Sequence, residues 1–159
     1  MRVITGTARG RRLKEPQGMD IRPTTDKVKE SMFSILQFDI EGRRVLDLFG
    51  GTGQLGIEAL SRGASEVVFV DKSAAALKLI RENLELCGLS DRARVRNGDS
   101  LAYLRSGEKF DLVFLDPPYD TGLLEQALQD IAGFDICREH GIITVSYTHL
   151  RAHETKANL

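Results

Sequence analysis

The sequence predicts an α/β domain built on an open, mostly parallel sheet with helices on both faces. Short, continuously apolar runs read as strands buried on both sides, and amphipathic segments with helical spacing alternate with them. In addition, the glycine-rich and acidic motifs fall just after the strands, where such a sheet binds its ligands. The 159 residues suit one domain with one substantial core.

Residues 1–23 read as short strands and turns, with Arg9-Gly10-Arg11-Arg12 in a loop or hairpin. Pro23-Thr24-Thr25-Asp26 looks like a helix start: either threonine can cap, and Asp26 suits the positive end of the helix dipole. Val28, Met32, Ile35 and Leu36 then share a helical face, and Glu41-Gly42-Arg43 breaks the chain. Residues 44–49 form the first strand, and Gly50-Gly51-Thr52-Gly53 a turn. A helix follows over 55–62 and stops at Gly63. Residues 66–70 are the second strand. Ser73 caps a helix whose stripe is Leu77, Ile80, Leu84 and Cys87, and Gly88 ends it. Residues 92–97 and 111–115 are the third and fourth strands. A helix with Leu124, Ala127, Leu128 and Ile131 on one face follows, then a fifth strand over 141–145.

No run of about 18 apolar residues is present, so no membrane span is expected. Met1-Arg2-Val3-Ile4-Thr5-Gly6 lacks the apolar stretch of a signal peptide. Cys87 and Cys137 lack metal-like spacing and read as reduced thiols of a cytoplasmic protein. The formal net charge is −1, but residues 1–30 hold eight basic residues against four acidic ones. A basic arm on an acidic body can bind phosphates, and it can equally be a solvated face.

Four motifs carry chemistry. Gly51-Thr52-Gly53-Gln54-Leu55-Gly56 has the form G-x-G-x-x-G, which lets backbone approach a ligand closely; alone it could serve NAD, FAD or S-adenosylmethionine. Asp71, closing the second strand, can accept both hydroxyls of an adenosine ribose, or can serve the helix start beside Ser73. Asp99, before Ser100, can accept from an adenine amino group or make an ordinary Asx turn. The fourth motif, Asp116-Pro117-Pro118-Tyr119, points to one reaction. Two prolines remove backbone donors and leave carbonyls and a carboxylate as acceptors beside an aromatic ring. An exocyclic base amine is a poor nucleophile because its lone pair is delocalised into the ring. The Asp116 side chain and the Pro117 carbonyl can hold its hydrogens and favour a pyramidal nitrogen aimed at a sulfonium methyl. Tyr119 can stack on the splayed base.

Over about residues 1–145 the chain resembles the RsmD-type 16S ribosomal RNA guanine-N2 methyltransferases. The residues that carry the resemblance are Arg9-Gly10-Arg11-Arg12-Leu13, then Arg22-Pro23-Thr24-Thr25-Asp26-Lys27-Val28-Lys29-Glu30. Asp47-Leu48-Phe49-Gly50-Gly51-Thr52-Gly53 with its continuation through Ala64, and Asp116-Pro117-Pro118-Tyr119, complete them. The resemblance implies a Rossmann-like methyltransferase fold, S-adenosylmethionine as donor and a guanine of 16S ribosomal RNA as acceptor. By position, Asp47, Gly51 and Gly53 would hold the donor's methionine part, with Phe49 in the same set. Asp71 would take the ribose, Asp99 with Ser100 the adenine, and Asp116, Pro117, Pro118 and Tyr119 the target base. Arg9, Arg11, Arg12 and Arg22 would contact phosphates of a partly assembled small-subunit particle. The enzyme would act as a monomer without a metal.

This reading divides the chain into a basic RNA-binding extension and helix over 1–40, a methyltransferase core over 41–146, and an atypical tail over 147–159. The family fold continues into two further strands, whereas the tail is polar and reads as truncated or artefactual. An uncovered sheet edge near residues 141–145 is then a liability. His149 and His153 are four apart but lack a third ligand. Two other readings compete: an NAD-dependent oxidoreductase, supported by the glycine loop and Asp71, and a non-catalytic RNA-binding module on the same fold.

Overall fold

The computed structural model describes residues 1–18, 24–117 and 122–145. Five strands, β1 (Arg44–Leu48), β2 (Glu66–Asp71), β3 (Ala93–Asn97), β4 (Phe110–Leu115) and β5 (Cys137–Val145), form one sheet in the order β3-β2-β1-β4-β5. Every neighbouring pair is parallel. The strand order reverses between β1 and β4, which are paired through Leu48 and Leu115 at their carboxyl ends. A cleft opens at such a switch point because the crossovers leave β1 and β4 in opposite directions.

Helices cover both faces. α1 (Asp26–Leu36), α2 (Gln54–Ser61) and α3 (Ala74–Leu86) pack on one, around Val45, Val67, Phe69, Leu112 and Phe114. The short α4 (Ser100–Tyr103) and α5 (Leu123–Gly133) pack on the other, around Leu46, Leu48, Val68, Val70 and Val113. Successive strand residues alternate between these faces, so each strand is apolar throughout. Among the described residues, no helix is long and apolar enough to cross a membrane.

Thr25 is the cap of α1, accepting from the Val28 amide at 3.3 Å. The buried face of α1 is Lys29, Met32, Phe33 and Leu36; Val28 is 38% exposed and Ile35 80%. The expected face was rotated because it excluded a lysine. The Lys29 stem lies in the core, and its ammonium reaches Glu58 at 3.5 Å and the Arg2 carbonyl at 2.6 Å. β5 begins four residues before the expected strand. Its first residues are polar, and its register with β4 shifts between Phe110 and Leu112 at a bulge where His140 takes φ 66°.

The basic N-terminal segment forms a hairpin joined at Arg2 and Arg12. It docks on α2 and α3. Glu58 accepts from the Ile4 and Thr5 amides at 2.9 and 3.0 Å. The Ser61 hydroxyl accepts from Ala8, and Asn83 exchanges two hydrogen bonds with the Lys14 backbone. Glu58 also accepts from Arg62 Nε at 2.9 Å and is fully buried. Burial holds the Lys29 ammonium below its ordinary value, while Glu58 pulls the other way.

Glu58→Ala should therefore cost about 3–5 kcal/mol, since it strands a buried ammonium and frees two backbone donors. Urea unfolding measures this, and a loss below ~1 kcal/mol would mean the pair is dispensable.

Candidate active site at the β1–β4 switch point

The tip of β1 turns sharply. Phe49 takes φ 61°, Gly51 58° and Gly53 80°, all in the left-handed region that glycine reaches without strain. Phe49 is half-buried, its ring packed against the α4–α5 core, and it spends backbone strain to start the turn. Gly50 N–H donates to the Val70 carbonyl at 2.9 Å and Gly53 N–H to that of Gly50 at 2.8 Å. The third glycine has a different duty. A Cβ on Gly56 would come within 2.3 Å of Phe69 Cε1, so α2 sits on β2 only because that side chain is missing.

Asp71 ties this turn to β2. Its Oδ2 accepts from Gly51 N–H at 3.0 Å and its Oδ1 from Ser73 N–H at 2.9 Å. The helix-start role weighed for Asp71 is thus present, and each oxygen keeps a second lone pair for a ligand. Asp47 lies beneath the loop, 2% exposed, and accepts from Gly56 N–H at 3.1 Å. Burial pushes its carboxyl well above the usual range; Asp116 and Asp71 push the same way, and the Gly56 amide opposes them.

Asp116 follows β4, beside the β1 tip. Burial pushes its carboxyl up to about 7, against a hydrogen bond with the Thr24 side chain. Three carboxyl groups therefore converge on the tips of three adjacent strands, β2, β1 and β4, beside the half-buried Gly51 and the buried Gly53, which packs on Ile80. Such a site favours a ligand that carries positive charge. Pro117 continues the chain from Asp116, whereas Pro118 and Tyr119 lie outside the described residues.

The other expected residues divide. Asp99 is the exposed cap of α4, its Oδ2 accepting from Ala102 N–H at 2.9 Å, and Ser100 is buried behind it. Arg9 and Arg11 are exposed near the C-terminal ends of α2 and α3, by Ser61 and Cys87, on the side away from the strand tips. Arg12 sits higher, paired with Arg2, whose guanidinium lies 4.0 Å from Asp26 at the start of α1. Arg22, His149 and His153 lie outside the described residues. Thr24 and Gln54 were missed. Gln54 is 2% exposed, and its Nε2 donates to the Thr24 carbonyl at 2.9 Å. A signal for Thr24 existed: of two adjacent threonines only one can cap.

Fold and site together place the chain among the Rossmann-like methyltransferases. Known proteins agree. The solved structure of yhhF from Escherichia coli matches 96% of this chain and 84% of its own, with a TM-score of 0.83 and 34% identity. YlbH of Bacillus subtilis, which carries the name of an rRNA methyltransferase, is 42% identical over 92% of this chain and 82% of its own length. "Ribosomal RNA small subunit methyltransferase D" of Haemophilus influenzae is 41% identical over 80% of this chain and 68% of its own. The chain belongs to the family described as conserved hypothetical protein 95, the RsmD family, whose model matches residues 1–158.

Gly56→Ala should destabilise the fold by about 1–3 kcal/mol through overpacking against Phe69. Denaturant unfolding would show it; an unchanged midpoint would mean α2 can lift from β2 without cost.

Proposed function

We propose that this chain transfers a methyl group from S-adenosylmethionine to the exocyclic N2 amine of a guanine in 16S ribosomal RNA, acting as a cytoplasmic monomer on a partly assembled small-subunit particle. The observation that carries the reading is the position of Asp116 and Pro117 at the switch point, directly beside the glycine turn.

The site suits such a donor. Gly51, half-buried at the turn, has no side chain to hold a ligand off, and the three carboxyl groups suit a sulfonium and an ammonium. S-adenosylmethionine supplies, when bound, a methyl group on an electron-poor sulfur. The rest is the protein's work. Asp47 with the Phe49–Gly53 turn holds the amino-acid end, the free lone pairs of Asp71 take the ribose hydroxyls, and Asp99 with Ser100 flanks the adenine. Asp116 and the Pro117 carbonyl accept the two hydrogens of the guanine amine and turn its lone pair toward the methyl. Tyr119 would stack on the base, as its place in the motif implies. As the nitrogen gains its methyl, one proton leaves it, and a carboxylate balanced near neutrality can receive that proton at Asp116. Positioning and fixed charge supply most of the rate.

The direct test is transfer from labelled S-adenosylmethionine to small-subunit particles lacking the modification, followed by digestion to nucleosides. Label in N2-methylguanosine supports the reading. Label in another nucleoside keeps the chemistry and discards the substrate. No label from folded protein leaves an RNA-binding module.

Asp116→Ala should lower kcat by roughly 100-fold or more while changing donor affinity little; an equal loss of donor binding would remove the assigned role. Asp116 must be ionised to accept, and burial raises its pKa to about 7. Activity should therefore rise with pH through about 7, and a rate flat between pH 5 and 8 would contradict this.

Replacing Arg9, Arg11 and Arg12 together by alanine should weaken RNA binding and make the log–log salt slope shallower by up to about 3. Because Arg9 and Arg11 lie away from the cleft, such a change requires RNA that runs down the α2–α3 side. An unchanged slope would leave the hairpin a solvated face.

A further inference from the structure

Residues 24 and 25 are both threonine, and the structure gives them different work. Thr25 caps α1. Thr24 makes no cap. It is 5% exposed, its side chain hydrogen-bonds Asp116, and its carbonyl accepts from Gln54 Nε2 at 2.9 Å. Thr24 is thus gripped through its backbone by α2 and through its side chain by the residue after β4.

The Gln54 amide has one possible orientation. A carbonyl can only accept, so the NH2 must face Thr24 and the oxygen must face away. That Oε1 is buried and has no hydrogen-bond partner among the described residues. Among the described residues, half of this buried amide has no partner, a poor arrangement for stability alone. What the amide achieves is the placement of Thr24.

We propose that Thr24 is a positioning residue for Asp116, and that Gln54 holds Thr24 in that role. The hydroxyl occupies one oxygen of the carboxyl and leaves the other for the substrate amine, and it donates only when that oxygen is an acceptor. It therefore favours the ionised form against the burial that disfavours it. From β1 the titratable group facing Asp116 is Asp47, whose own carboxyl is pushed up by burial and then by Asp116. The segment before the α1 cap presents the uncharged Thr24, and α2 the uncharged Gln54 behind it. This assignment rests on the reading of Asp116 as the acceptor of the amine.

The experiment compares wild type, Thr24→Val, Thr24→Ser and Gln54→Met. Two readouts are taken: the pH profile of kcat and the carboxyl carbon-13 titration of Asp116 in the folded chain. Thr24→Val keeps the shape and removes the donor. It should raise the Asp116 midpoint by about one pH unit and lower kcat at pH 6 about tenfold, with KM for RNA little changed. Thr24→Ser, which keeps the hydroxyl, should stay near wild type. Gln54→Met should move both readouts as Thr24→Val does, by less, and serves if Thr24→Val does not fold. An unmoved midpoint in Thr24→Val overturns the proposal, as does Thr24→Ser moving as far as Thr24→Val. If wild type transfers no methyl, the functional reading falls, while the titration still decides whether Thr24 governs Asp116.

Discussion

A carboxylate cut off from water must find its donors inside the protein, and Glu58 finds them in three separate parts of the chain. Two amides of the N-terminal hairpin, the Lys29 ammonium of α1 and the Arg62 guanidinium of its own helix surround it. Removing Glu58 leaves two cations and two amides without their shared acceptor in a medium of low polarity, so the group depends on that one carboxylate. The lysine fixes the rotation of α1, and that rotation points the start of the helix at the strand tips. Thr24 meets Asp116 and Lys29, five residues later, meets Glu58, so one short segment carries both contacts. Gln54 and Glu58 lie four residues apart on α2, so the buried ion pair and the Thr24 contact draw on the same helix.

The cleft is held together against electrostatic opposition. Burial raises Asp47 and Asp116, and the carboxyls at neighbouring strand tips raise Asp47 further. A carboxyl whose pKa is raised by folding stabilises the fold while protonated. That contribution is complete below the ordinary carboxylate range and is lost as pH rises through the folded value, near 7 for Asp116. Near neutrality the fold therefore gives up stability to keep acceptors ready. A cation bound among the three carboxylates returns it, which couples ligand binding to the firmness of the strand tips.

Much of this was legible from local pattern. Continuous apolar runs announced parallel strands, and the glycine loop, Asp71 and the Asp116 corner fell at strand ends because only those residue types tolerate the geometry there. Three features were hidden for physical reasons. The rotation of α1 depends on a lysine that counts as apolar only once Glu58 neutralises it, which is a fact about residue 58. The first half of β5 is polar, since a bulged segment on an outer strand need not be buried. The hairpin's docking site could not be read at all, because charge reports that a segment is basic and not which face it occupies. That is why the basic residues, taken as one arm, divide between the strand-tip side and the far ends of α2 and α3.

The docking of the hairpin also sets an order of events. Ile4 and Thr5 need Glu58, Ala8 needs Ser61, and Lys14 needs Asn83, so this segment has its partners 53 to 69 residues downstream. β1 likewise waits for β4, whose paired residues follow 67 positions later. At about 5–20 residues per second, a growing chain carries its arginine-rich head undocked for several seconds. The hairpin's partners are all made once α3 is, so the basic segment can dock while β4 and β5 of the sheet are still to come.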